Sequence, residues 1–93
     1  MTLDQKIIQG NNASALLNNP LFKEAFKAVR EDLTSKASTI KTTDKDACAD
    51  IVRGIQVLEA VERCIVVYIE DGKIAQKELD MIAHKNKPRL FIR

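Results

Sequence analysis

The longest regular pattern in this chain lies in residues 44–71, which read DKDACADIVRGIQVLEAVERCIVVYIED. Apolar residues recur there three or four positions apart, the period of one face of an α-helix. They form a first stripe at Cys48, Ile51, Ile55, Leu58, Ile65 and Ile69. A second stripe contains Val57, Val61, Cys64 and Tyr68. The acidic residues around Asp44 favour a helix start there, because negative charge stabilises the N-terminal end of the helix dipole. The segment therefore predicts one long helix with two apolar faces.

The β-branched run at residues 64–69 is also compatible with a strand. We predict a helix because the run continues a long helical pattern and no second segment of similar length offers a strand to pair with it. Gly72 is a residue type that commonly ends helices, so we expect a turn at residues 71–73. Ala75, Leu79 and Ile82 then predict a short final helix over residues 74–85, ended by Pro88.

Two helices are predicted before the long one. Asn19 and Pro20 suit the cap and first position of a helix over residues 20–38. Its apolar face is formed by Phe22, Phe26, Val29, Leu33, Ala37 and Ile40. Residues 3–17 predict a weaker helix or two separate turns, because Gly10-Asn11-Asn12 interrupts them.

These elements predict an all-α fold with one domain over residues 1–83. We expect an antiparallel helical hairpin, the second helix against the third, with short flanking helices at both ends. Only four of 93 residues are aromatic, so a core must consist mainly of aliphatic side chains. The second stripe needs another apolar surface to pack against. Either the terminal helices provide it through Leu16, Leu17, Leu79 and Ile82, or the chain self-associates through Val57, Val61, Cys64 and Tyr68.

The C-terminal residues 84–93 form a separate basic and apolar segment, which we interpret as a docking tail. It contains four basic residues and no acid, whereas residues 1–83 contain eleven basic and thirteen acidic ones. The predicted docking residues, for a protein or a nucleic acid, are Lys85, Lys87, Arg89, Leu90, Phe91, Ile92 and Arg93. A merely solvated chain end is the third interpretation.

No pattern of catalytic, cofactor-binding or metal-binding residues stands out, so we expect no enzyme, no cofactor and no metal. His84 is the one histidine, and no glycine-rich phosphate loop is present. Cys48 and Cys64 lie sixteen residues apart on the long helix, about 24 Å, too far for a disulfide. Unpaired thiols and an N-terminus without a long apolar stretch favour a cytoplasmic protein. The longest apolar run is too short for a membrane span.

Three segments carry a resemblance to a known group of proteins. They are NPLFKEAF at residues 19–26, VLE at 57–59 and DGKIAQKEL at 71–79. Together they resemble short helical proteins of tailed bacteriophages, encoded near head-assembly and DNA-packaging genes, a family to which no activity is firmly assigned. The resemblance covers residues 13–79. This chain lacks the family's late aromatic residue around 34–40, and the tail from Ala83 has no counterpart.

The resemblance implies a viral protein in the cytoplasm of the bacterial host or incorporated in the virion. It implies a role in virion assembly or DNA packaging through protein contacts, as a homo-oligomer or with another protein. A DNA-binding subunit of the small-terminase kind is one alternative. A small effector that inhibits a host protein is another.

Overall fold

The computed structural model describes residues 1–85, which form three α-helices and contain no strand. They are α1 (Leu3–Leu17), α2 (Pro20–Thr39) and α3 (Lys45–Lys85). The all-α prediction is therefore confirmed. The eight residues that follow contain most of the predicted docking tail, at Lys87, Arg89, Leu90, Phe91, Ile92 and Arg93, and lie outside the described residues.

Side-chain caps fix where the helices begin. The Thr2 hydroxyl accepts a hydrogen bond from the Gln5 amide at 3.1 Å, and the Gln5 side chain accepts one from the Thr2 amide at 2.9 Å. The Asn19 side chain accepts from the amides of Leu21 and Phe22. Each cap satisfies amide groups that have no partner inside the helix. The predicted role of Asn19 is confirmed.

The prediction of a turn at residues 71–73 and a separate final helix is wrong. α3 continues through Gly72 to Lys85 as one helix of 41 residues, and no described glycine has a positive φ. The reason is visible in the apolar pattern, because Gly72 lies three residues after Ile69 and continues the first stripe. Gly72 is therefore a packing position within a helix.

Of the two alternatives for residues 3–17, the single helix is confirmed and the two separate turns are wrong. α1 is one helix of 15 residues, and Gly10 lies at its contact with α3. A methyl group at Gly10 would lie 2.9 Å from the Cα of Gly72 and 3.0 Å from the Tyr68 carbonyl oxygen. Absence of a side chain at both glycines allows the two backbones to touch, which offsets the weak helix propensity of glycine.

The buried part of the described chain is small and follows α3. It consists of Gly10, Ala13, Ile51, Ile65, Gly72 and Ala75. α2 packs less extensively on α3 than α1 does. Its contacts include the Leu33 side chain beside Gly54 and an ion pair from Arg30 to Glu62 at 3.1 Å. The molecule is consequently long and narrow, with extents of 77 × 25 × 20 Å.

Candidate interaction surface

The second apolar stripe of α3 is open to solvent. Val57 is 57% exposed, Val61 44% and Tyr68 38%, and the Cys64 side chain is exposed as well. All four residues lie on one helix, at spacings of four, three and four, and therefore share one face. The structure thus brings together the residues predicted for self-association and leaves them uncovered within the chain.

The terminal helix α1 packs on α3 around Gly72 and reaches the C-terminal end of the stripe at the Tyr68 backbone. Ala75 lies seven residues after Tyr68, two turns further along the same face, and is 1% exposed. Leu16, proposed above as part of an intrachain cover, is itself 43% exposed. Ile82 is 48% exposed. Leu17 and Leu79, the other two residues of that alternative, are half-buried, and the four stripe residues remain exposed in the described chain.

A groove between α2 and α3 adjoins the stripe. Its volume is about 530 Å³, and it is lined by Phe26, Val29, Leu33, Asp50, Arg53, Gly54, Val57, Leu58 and Val61. Seven of these nine residues carry no charge, and the two charged ones come from neighbouring turns of α3. The groove and the stripe share Val57 and Val61, so they form one continuous apolar surface. We call this surface the α3 band.

Two further apolar residues, which the sequence did not lead us to predict, lie beside the α3 band. Ala60 and Val67 are exposed and lie one position before Val61 and Tyr68. Residues 57, 60, 64 and 67 follow spacings of three, four and three, the pattern of a helix-packing seam. That spacing was available in the sequence.

Tyr68 lies four residues after Cys64, one turn further along the same face of α3. Interaction of the Tyr68 hydroxyl with the Cys64 side chain, through hydrogen bonding first and charge second, raises the pKa of the phenol above its ordinary value. Both groups are exposed in the single chain.

A second, smaller recess lies on the other side of α2. Its volume is about 290 Å³, with Leu17, Phe22, Lys23, Phe26, Lys27, Arg30 and Glu62 around it. The Phe22 and Phe26 rings lie 4.8 Å apart. Glu62 accepts a hydrogen bond from the Arg30 guanidinium at 3.1 Å. Both side chains are nearly half exposed, so this pair is a surface ion pair.

Other site chemistries find no support in residues 1–85. No three His, Cys, Asp or Glu side chains lie close enough together there to hold a metal ion. No described helix has both the length and the apolarity to cross a bilayer. Cys48 and Cys64 are free thiols on the same helix.

The remaining predicted docking residue, Lys85, is exposed at the last turn of α3, next to His84. Both residues are helical, so the predicted boundary of the tail at residue 84 does not coincide with the helix end. Comparisons of this chain with known protein families, with curated proteins and with solved structures found no match.

Proposed function

We propose that this chain is a non-enzymatic bacteriophage protein that acts in virion assembly or DNA packaging through contacts with other proteins. One observation carries the assembly role: the α3 band is a broad apolar surface on a chain whose own core is small. Contiguous exposed apolar surface of this kind is typical of protein contact sites. The bacteriophage setting rests on the resemblance of residues 13–79 to phage proteins.

The finer architecture belongs to this proposal. We infer that α2 and the N-terminal half of α3 act as an antiparallel hairpin in the assembled protein. The supporting contacts are Arg30 with Glu62 and Leu33 with Gly54, since the later residue on α2 meets the earlier residue on α3. Binding along the groove would hold α2 against α3 from outside.

The experiment is removal of the gene from the phage that encodes it, followed by electron microscopy of the lysate. We expect particles arrested before completion, either incomplete heads or heads without DNA, and restoration by the gene supplied in trans. In a parallel experiment, the gene supplied in trans carries Val61→Glu, which places a charge in the α3 band. Normal infectious particles without the gene would refute the role in assembly and packaging.

A DNA-binding role is the runner-up, and the charges of α2 weigh against it. Three of its four basic side chains are paired with acids: Lys27 with Glu31 and Lys36 with Asp32 on the same helix, and Arg30 with Glu62 of α3. A DNA-binding surface needs unpaired positive charge facing phosphates. If the four basic residues of residues 84–93 neutralise phosphates, log K against log salt should have a slope of about −3 to −4. Binding with that slope would favour the DNA-binding role over the protein-contact role.

A further inference from the structure

The α3 band has a length and an area that fit another helix of similar length. Along the helix axis, residues 57–68 span about 17 Å, and charged residues stand at both ends of that span. The groove beside α2 gives the band a concave edge. This inference rests on the proposed function and concerns the protein that covers the α3 band.

The surface area of the chain points to a large missing contact. The chain exposes 7570 Å², whereas a compact protein of this mass exposes about 5,400 Å². Residues 86–93 can account for at most about 1,500 Å² if they are fully solvated. The excess is then roughly 1,100 to 2,200 Å² per chain, allowing for the smaller mass of residues 1–85. Homodimers with obligate interfaces bury about 1,000 to 2,500 Å² per partner.

The charges at the two ends of the band are opposite in sign. Arg53 lies one turn before Val57, and Asp71 lies three residues after Tyr68. Arg53 is held only by an exposed 3.6 Å ion pair with Asp50, which leaves its side chain free to turn. A second α3 running antiparallel across the midpoint of residues 61 and 64 places Arg53 opposite Asp71 of the other copy. The two-fold symmetry repeats that pair at the other end.

A parallel arrangement of the two α3 helices brings like charges together. It places Arg53 opposite Arg53 and Asp71 opposite Asp71, so like charges meet at both ends of the contact. Like charges across a helix interface disfavour that pairing. Charge and area therefore favour the same occupant, a second copy of the chain in antiparallel orientation.

We propose that two copies of this chain form a two-fold dimer in which the α3 bands pack antiparallel, with Val61 of each copy against Cys64 of the other. Val57 then lies against Tyr68, and Val29 at the edge of the groove is covered by the incoming helix. The dimer is the unit that makes the further contacts of assembly.

The two native cysteines test the arrangement without any substitution. In the antiparallel dimer the two Cys64 residues lie about 4.5 Å apart along the helix axes, whereas the two Cys48 residues lie about 44 Å apart. A short bifunctional maleimide should therefore join Cys64 to Cys64, as identified by mass spectrometry of peptides. Joining of Cys48 to Cys48 at a similar yield would overturn the antiparallel arrangement.

Sedimentation equilibrium across a concentration series tests the dimer itself. We expect Val61→Glu to raise the dimer dissociation constant at least about 30-fold, because Val61 lies at the centre of the contact. Val52→Glu is the matched control, since Val52 is a similarly exposed valine of α3 outside the band, and it should leave the constant within about threefold. Circular dichroism establishes that both variants are helical. A monomer at hundreds of micromolar, or equal effects of the two variants, would overturn the proposal.

A charge exchange tests the register. Arg53→Glu and Asp71→Arg should each weaken the dimer roughly tenfold, and the double variant should recover most of that loss, because opposite charges face each other again. Absence of recovery would overturn the register. These outcomes are independent of particle formation: a dimer without an assembly phenotype contradicts the proposed function, and an assembly phenotype with a monomeric chain contradicts the dimer.

Discussion

The three glycines of this chain have different roles, which the atoms around them distinguish. A methyl group at Gly10 or Gly72 meets backbone of the other helix at 2.9 Å. A methyl group at Gly54 meets the Cδ2 of Leu33 at 3.1 Å, the end of a side chain that can rotate. Backbone cannot move out of the way without separating the helices, whereas a leucine side chain can.

We therefore predict that Gly72→Ala destabilises the protein by about 1–3 kcal/mol, despite the gain of up to about 1 kcal/mol that alanine brings to a helix. Gly54→Ala is the matched control, and we expect it to be neutral or stabilising by up to about 1 kcal/mol. Urea unfolding followed by circular dichroism, at one protein concentration for all variants, measures both. Equal stability of the two variants would contradict the close contact of α1 with α3.

Tyr68 offers a spectroscopic test at a single residue, because the chain contains one tyrosine and no tryptophan. We predict a phenol pKa above the ordinary value of about 10, read from the absorbance change of ionisation. Cys64→Ala should lower that pKa, since the Cys64 side chain is the main cause of the shift. An unchanged pKa in this variant would contradict the assigned cause.

The same shift has a consequence for stability at alkaline pH. The pKa of the folded phenol is raised, so the unfolded state loses its proton first as pH increases. The contribution of Tyr68 to stability is therefore present below the unfolded pKa and is lost as pH rises through the folded pKa. No effect of this residue is expected near neutral pH.

At the scale of the helices, the buried side chains of α3 are expected to matter more than the aromatic residues of α2. Ile65 is 8% exposed, whereas Phe26 is half-buried and borders two open recesses. We predict that Ile65→Ala costs about 2–5 kcal/mol and that Phe26→Ala costs less than about 3 kcal/mol, below the usual range for a fully buried phenylalanine. Chemical denaturation of both variants gives the comparison. A larger loss for Phe26→Ala would place the core on α2.

Continuity of α3 is a second prediction at this scale. The amides of residues 70–76 should have helical chemical shifts and slow hydrogen exchange, because each donates to a carbonyl four residues earlier and α1 covers Gly72 and Ala75. Fast exchange confined to residues 71–73 would indicate the turn that the glycine suggested.

At the scale of the whole molecule, the shape is set by one helix. The 41 residues of α3 span about 61 Å, which exceeds the diameter of a compact domain of this size. The radius of gyration is 21.2 Å, against about 12 Å for a compact chain of 93 residues. We predict that small-angle scattering, extrapolated to zero concentration, gives a particle longer than about 60 Å. A compact particle with a radius of gyration near 12 Å would contradict the extended arrangement.

The sequence by itself determined the helical character of the chain, where each of the three helices begins and the two apolar faces of α3. These features depend on neighbouring residues: Asn19 caps the helix it precedes, and the spacing of Ile51, Leu58 and Ile65 requires no knowledge of the rest of the chain. Asp32 and Lys36, four residues apart on α2, likewise form an ion pair at 3.0 Å. Residues that act locally were predictable for that reason.

Only the tertiary structure decided what the glycines do and which apolar face remains open. The residues next to Gly72 are the same whether the glycine ends a helix or packs against another helix. Its contact partner Gly10 lies 62 residues away in the sequence. The open stripe likewise depends on where α1 and α2 lie along α3. The physical reason is that the conformation of a glycine and the exposure of a side chain are set by atoms distant in sequence, and local preferences of less than about 1 kcal/mol per residue are overridden by packing.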